Sequence, residues 1–300
     1  MNKQSELRKM RYLTLRNIKL YFKDKMTFLV SLITPLILLV LFIAFLKSTY
    51  EDSILSIIQG FDLDQSLIDA LTGGWLFSSV LATSCITVAF CSGMMVIDKI
   101  NRANIDFMVS PVKKSTLQLS YVLANLFSTF IINFVLLIVG LIYLACVGFY
   151  ITFVDILLIV FGIIITSLFG TILANIIWTF THSQGVVSGV CTLVSALYGF
   201  ICGAYMPIST MGQGMQYFVS LLPGTYATVL FRQGFLNSVL NRMRETLPQG
   251  MINGIASGLD VKMSFFGHDV STLALILVIS ISTIVLLGVF LFINKFKKKN

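Results

Sequence analysis

Residues Tyr121–Cys146 read YVLANLFSTFIINFVLLIVGLIYLAC, 26 positions without one charged side chain. At 1.5 Å per residue a helix of that length covers roughly 39 Å, more than the roughly 30 Å of hydrocarbon in a bilayer. The stretch predicts a transmembrane helix. Working outward, five further charge-free runs long enough to cross lie at Thr27–Leu46, Trp75–Ile97, Ile156–Trp178, Val186–Tyr205 and Thr272–Ile293. The whole chain of 300 residues is 57% hydrophobic and 11% charged, with a mean hydropathy of +0.92, against about a quarter charged in soluble domains. A water-soluble enzyme is excluded. The expected fold is an all-α polytopic membrane protein of six transmembrane helices, and an even count places both termini on one side.

Lys and Arg set the side. Sixteen of the 21 fall in the segment before the first run, between the second and third, and after the sixth; only Lys47, Arg232, Arg242, Arg244 and Lys262 lie on the other face. The positive-inside rule then puts both termini in the cytoplasm of a multi-pass cell-membrane protein, with the bacterial plasma membrane as the expected compartment. The net charge of +8 reads as this topology signal and as attraction to anionic membrane lipids; no nucleic-acid partner is expected. The first run lacks a small-residue cleavage site and is expected to stay as a span. In residues 1–26, Leu7, Met10, Leu13, Ile18, Tyr21 and Phe22 recur at three- and four-residue steps among basic residues. That spacing predicts an interfacial helix along the inner leaflet; a disordered basic leader is the alternative. All five cysteines lie inside apolar runs, where they read as small hydrophobes and not as a disulfide framework.

Two exterior pieces remain. Residues 47–74 are acidic and suit a short surface helix. The loop 206–271 carries Pro207, Pro223 and Gly224 and is apolar between Met211 and Phe235, enough for a re-entrant helical hairpin between the fifth and sixth spans. Beyond it Gly250, Gly254 and Gly258 recur every four residues, a spacing that suits either close helix packing or a flexible loop. No catalytic or metal-ligating constellation is present: Asp62 and Asp64 lack the rest of an EF-hand ladder, His182 and His268 fall on opposite faces, and there is no phosphate-binding Gly-rich loop. The spans hold no acid or base, which argues against an intramembrane protease and against proton-coupled transport.

The spans do hold hydroxyls and amides. Ser79, Thr83 and Thr87 form one stripe on the second span, and Ser188, Thr192 and Ser195 form another on the fifth. Each stripe could face a substrate or hydrogen-bond its own helix. Asn125, Thr129, Asn133 and Asn175 need partners more strongly and are expected to join helices. Gly185 with Gly189, and Gly199 with Gly203, give the fifth span two faces suited to close helix contact.

Residues Asp98–Pro111 read DKINRANIDFMVSP. This segment resembles the coupling segment of ABC-2 type exporter permeases, in which an acidic-basic pair opens a short amphipathic helix that ends at a hydrophobic-Ser-Pro stop. Ile105, Phe107 and Met108 supply an apolar anchor and Pro111 ends the helix; Arg102 and Ala103 stand where a Gly-Thr pair is common. Leu222–Ala227 (LPGTYA) with Phe231 and Arg232 resembles the exterior Pro-x-x-Tyr segment of the same permeases, and the likeness covers essentially the whole chain. It implies a cytoplasmic coupling loop, 98–118, in which Asp98, Lys99, Arg102, Ile105, Asp106, Phe107, Met108, Ser110 and Pro111 meet a separate ABC ATPase subunit. It also implies Pro223, Gly224, Tyr226 and Arg232 in the exterior hairpin. A second permease subunit is implied, as homodimer or heterodimer, with spans two and five at its centre, so that Ser79, Thr83, Thr87, Ser188, Thr192 and Ser195 would line the substrate pathway. This chain itself would bind no cofactor, ATP and Mg residing on the ATPase subunit. The expected function is the membrane half of an exporter for a hydrophobic or amphipathic substrate: a drug, an antimicrobial peptide or a lipid-linked molecule. A secondary transporter, a membrane-embedded hydrolase or a non-transporting sensor or scaffold are the competing classes.

Overall fold

The structure is a computed structural model that describes residues 3–58, 61, 63–110, 112–265 and 268–296. Asp62 and Pro111, both used above, lie outside the described residues, as does the side chain of Met108. The fold is all-α with one minimal hairpin. Six helices are long and apolar enough to cross a membrane. Amphipathic α1 (Lys3–Lys23) leads through Asp24 into α2 (Lys25–Leu41), and Asp24 accepts from the backbone N–H of Met26 and Thr27 as the N-cap of α2. A π-helical turn, Phe42–Leu46, joins α2 to α3 (Lys47–Ile57), so the acidic segment 47–74 begins as a helix continuous with the first long apolar helix.

Next come α4 (Gln65–Cys91), α5 (Met94–Ile100), α6 (Ala103–Val109), α7 (Lys114–Val147), α8 (Phe153–Phe180) and α9 (Gln184–Ile201). A capping box of Thr152 and Asp155 starts α8. The chain continues through α10 (Gln213–Ser220), α11 (Pro223–Met243) and α12 (Gln249–Gly258) to strands Ser264–Phe265 and His268–Asp269, which pair antiparallel, and ends in α13 (Thr272–Phe296). Pro223 occupies the first turn of α11, where its missing N–H has no partner to lose. The Gly250, Gly254 and Gly258 spacing falls on helix α12, and a Cβ at any of the three would touch nothing within 4 Å. That repeat is neither a loop nor a packed glycine face.

Helix α4 is the axis of the bundle. It packs against α2, α7, α8, α9 and α11, and 94% of the apolar window in Gln65–Ile100 is buried, against 11% for α13. A helix apolar on every side suits that enclosure. Gly170 lets α8 approach closely: a Cβ there would lie 2.8 Å from Ile86 Cδ1 and 2.9 Å from the Cys85 carbonyl oxygen. One end of the bundle gathers α1, α5, the end of α8 and the start of α9 around Tyr21, Phe90 and Trp178, with α6 packed against α5. The opposite end gathers α3, α11 and α12 around Trp75, Phe231 and Leu236.

One cysteine expectation is corrected. Cys91 and Cys191 are paired as a disulfide with Cα atoms 5.5 Å apart, because the end of α4 crosses α9 at that point. Both lie in apolar runs 100 positions apart in sequence, so linear spacing held no signal. Cys85, Cys146 and Cys202 are free thiols.

Candidate functional site

The first candidate site is the end of the bundle that carries α5 and α6. Helix α4 stops at Cys91, and after Ser92 and Gly93 the chain restarts as α5, whose Asp98 and Lys99 point into the protein. Asp98 accepts a two-armed hydrogen bond from Arg16 of α1, at 2.8 and 3.0 Å, and a third from the Tyr121 hydroxyl of α7 at 2.6 Å. The hydrogen bonds to Asp98 push the Arg16 guanidinium up from its ordinary pKa, against a smaller opposing effect of burial. Lys99 Nζ donates to the carbonyl oxygens of Trp178, Thr179 and Thr181, at 2.7, 3.1 and 3.0 Å. These are carbonyls at the C-terminal end of α8, where helices leave acceptors unsatisfied and favour a cation. The two neighbours on α5 thus bind α1, α7 and α8 to one short element. Asp98 and Lys99, expected at the ATPase contact, are engaged inside the chain.

Helix α6 follows a reversal at Arg102, whose φ of 58° is left-handed. A side chain in that region costs about 1–2 kcal/mol that glycine avoids. This accounts physically for the glycine common at the position in the permeases the segment resembles. On α6, Phe107 is half-buried with the Arg16 guanidinium 5.1 Å over its ring, while Ile105 and Val109 are 50% and 83% exposed. Residues four apart share a helix face, so the apolar face turned outward is Ile105 with Val109. Phe107 turns to α1 instead. The spacing of Val109 from Ile105 is legible in the sequence, but attention to the 105/107/108 grouping passes over it. Arg102 and Asp106 are exposed beside this face, and Ser110 donates from its hydroxyl to the Phe107 carbonyl at 2.8 Å, closing the helix. Further along α1, Glu6 accepts from the Thr116 hydroxyl of α7 at 2.7 Å. That hydrogen bond, chiefly, holds its carboxyl below the usual carboxylate range.

The two hydroxyl stripes do not share a surface. Ser79, Thr83 and Thr87 on α4 are no more than 1% exposed, enclosed by neighbouring helices of the same chain. Thr83 donates to the Ser79 carbonyl one turn back, whereas Ser79 Oγ and Thr87 Oγ1 have no partner among the described residues. Ser188 and Thr192 on α9 are exposed and Ser195 is half-buried. Thr34, Thr192, Ser195 and the Tyr205 hydroxyl are the polar points of an otherwise apolar groove of about 530 Å³ between α2 and α9. The enclosure of α4 by α8 and α11 is what separates the stripes. The amides divide as well: Asn125 reaches the Ala89 carbonyl of α4 at 2.9 Å and Asn133 accepts from Ser84 at 2.5 Å, both joining helices, while Asn175 donates to Thr171 of its own helix.

At the opposite end, Arg232 of α11 is wholly buried. Its guanidinium donates to Asp260 Oδ2 at 3.0 Å and to the Gly203 carbonyl at 2.6 Å, and lies 5.1 Å from the Trp75 ring centre of α4. Asp260 also accepts from the backbone N–H of Ile208 and of Ser209. Asp260 and Gly203 both have left-handed backbones, with φ 49° and 74°. Gly203 has no room for a side chain, since a Cβ would sit 2.6 Å from Ile208 Cγ1. Sequence reading placed Arg232 in a motif but had no means of finding Asp260, 28 residues on. Nearby, Gly224 lies against the Tyr198 hydroxyl and Tyr226 packs with Leu275 and Ile279 of α13. No group of three or more His, Cys, Asp or Glu residues able to hold a metal exists among the described residues.

A model of the ABC-2 type transporter family matches residues 8–236, from within α1 through α10 and into α11 as far as Leu236. No curated protein and no solved structure matches the chain.

Proposed function

The chain belongs to the ABC-2 type transporter family, and from that premise we propose that it is the membrane subunit of an exporter driven by a separate ABC ATPase subunit. Both termini, α1, α5 and α6 lie in the cytoplasm in this reading; α3, α10, α11, α12 and the hairpin lie outside, with α10 and the start of α11 entering the outer leaflet. The ATPase subunit holds ATP with Mg and supplies the free energy of hydrolysis. This chain receives the resulting movement. The observation that carries the reading is the division of labour on two adjacent short helices. Ile105 and Val109 turn an apolar face outward from α6, and burying that face against a partner would be favourable. On the preceding helix, Asp98 and Lys99 fasten α5 to α1, α7 and α8. A displacement of α6 is therefore delivered to three helices through charge-assisted hydrogen bonds, each worth about 1.5–3 kcal/mol.

The exported substrate is hydrophobic or amphipathic, because the groove between α2 and α9 offers Thr34, Thr192 and Ser195 but no charge. A second copy or a paired permease completes the assembly against exposed α9, where Gly185 and Gly189 leave open space. Co-purification with the ATPase subunit tests the proposal: Ile105→Asp with Val109→Asp should abolish it. Asp98→Asn should leave it intact and break the dependence of ATP hydrolysis on substrate. Unchanged co-purification and transport in both variants would remove the basis for this reading.

A further inference from the structure

The α2–α9 groove does not end at the membrane. At its outer end Leu46 also borders a second apolar cavity of about 400 Å³ between α3 and α12, reached past Tyr205 and Met206. Ser209, in turn, borders both this cavity and a third of about 400 Å³, which Asp260 floors. The third shares Asn253, Lys262, Met263 and Asp269 with a fourth of about 420 Å³, bounded by α11, α12 and the second strand. Four adjoining cavities thus follow one side of the chain from Val30, near the start of α2, to the exterior face. Their chemistry changes in one direction. The first two present Ile33, Ile37, Ile54 and Ile57 with scattered hydroxyls; the last two present Asn237, Asn241, Asn253 and charged groups.

The charged groups at the outer end are Arg244, Lys262, Asp260 and Asp269. The Asp260 carboxylate is already taken by Arg232 and two backbone N–H groups. Two cations are left against one carboxylate, and Lys262 sits in both outer cavities, with Asn253 Oδ1 as a 3.3 Å neighbour. A site with that balance favours an anionic head. A run of adjoining cavities that begins apolar and ends beside such a head site matches one molecular shape.

We infer that these cavities form one binding track for an anionic amphiphile with a single extended apolar chain, its tail between α2 and α9 and its phosphate or carboxylate head beside Lys262 and Arg244. The inference deepens the export reading, on which it rests for the sidedness of the track, but it predicts equilibrium occupancy and so is tested without ATP. The probe is a photoactivatable long-chain alkyl phosphate, with the alkyl alcohol of the same chain as control, added to the full chain in phosphatidylcholine nanodiscs; crosslinks are mapped by mass spectrometry. The alkyl phosphate should label α9 and α3 about tenfold above lipid-facing α13, one charge-assisted contact being worth about a factor of ten. Lys262→Gln with Arg244→Gln should lower that labelling to the level of the alcohol, and Ser195→Phe should lower labelling by both probes. Inorganic phosphate should not compete. Equal labelling of α9 and α13, or insensitivity to the Lys262 and Arg244 changes in folded protein, overturns the track. Full displacement by inorganic phosphate also overturns it, leaving only a site for the free ion. If labelling follows the expected pattern but reconstituted complexes do not move the probe, the track stands and the export reading fails.

Discussion

Asp260→Asn should destabilise the end of the bundle that carries α3, α11 and α12 while changing almost no volume. Arg232 is fully buried and Asp260 nearly so, with relative side-chain exposures of 0% and 7%. Removing one member of a buried pair leaves an uncompensated charge and typically costs about 3–5 kcal/mol. Asparagine keeps one carbonyl oxygen for the Ile208 or Ser209 N–H and tolerates the left-handed backbone at φ 49°, so neither strain nor lost volume contributes. The lower figure applies: about 3 kcal/mol, or roughly a hundredfold in the ratio of folded to unfolded chain. Reversible unfolding in mixed detergent micelles reads this directly, with Trp75, 5.1 Å from the guanidinium, as a local fluorescence reporter. Arg232→Met combined with Asp260→Asn removes both charges and should recover most of the loss, since an apolar replacement of a buried pair is often neutral. A single variant within about 0.5 kcal/mol of the parent, or a double variant whose cost is the sum of the two singles, would refute the claim that the pair is coupled and dry.

Arg102→Gly should raise stability by about 1 kcal/mol by relieving the left-handed backbone, seen as a higher unfolding midpoint, whereas Arg102→Val should lower it. Phe107→Ala should leave the ATPase subunit bound while loosening α1, read as a wider distance between spin labels at positions 12 and 115; loss of binding in that variant would return Phe107 to the docking face. The Glu6 contact should depend on pH in one direction. Its folded pKa is depressed, so its contribution is complete above the unperturbed value of about 4.3 and is lost as pH falls through the lower folded value. The same label pair should therefore separate only in acid below the ordinary glutamate range, and Glu6→Gln should abolish that acid-dependent step.

Class, helix count and family were legible because each rests on a local signal. Charge-free runs of sufficient length identify the six long helices, and the Asp98–Pro111 and Leu222–Ala227 segments resemble the family that matches residues 8–236. What stayed hidden is what only three-dimensional neighbours decide. Ser79, Thr83 and Thr87 and Ser188, Thr192 and Ser195 both recur at helical steps, yet one set is enclosed and the other largely exposed, because α11, drawn from far along the chain, covers α4. The resemblance put Asp98 and Lys99 in a segment that meets a partner, and the groups they engage inside the chain, Arg16, Tyr121 and the end of α8, are up to 82 positions away. The Cys91–Cys191 pair and the Arg232–Asp260 pair are contacts of the same kind.

The enclosure of α4 has a consequence for how the protein is made. During synthesis α4 enters the bilayer with α2 as its one earlier packing partner among the long helices, before the helices that later enclose Ser79, Ser84 and Thr87. Asn133 reaches Ser84 only when α7 has inserted, and α11, which seals the other flank, emerges more than 130 residues after α4 is complete. At roughly 5–20 residues per second that is about 7–26 seconds of exposure. For that interval the nascent chain carries a membrane-embedded polar stripe that a quality-control factor could recognise, and that disappears when α11 arrives. The chain consequently has no N-terminal half able to mature by itself: a product stopped after α9 would keep its central helix permanently uncovered.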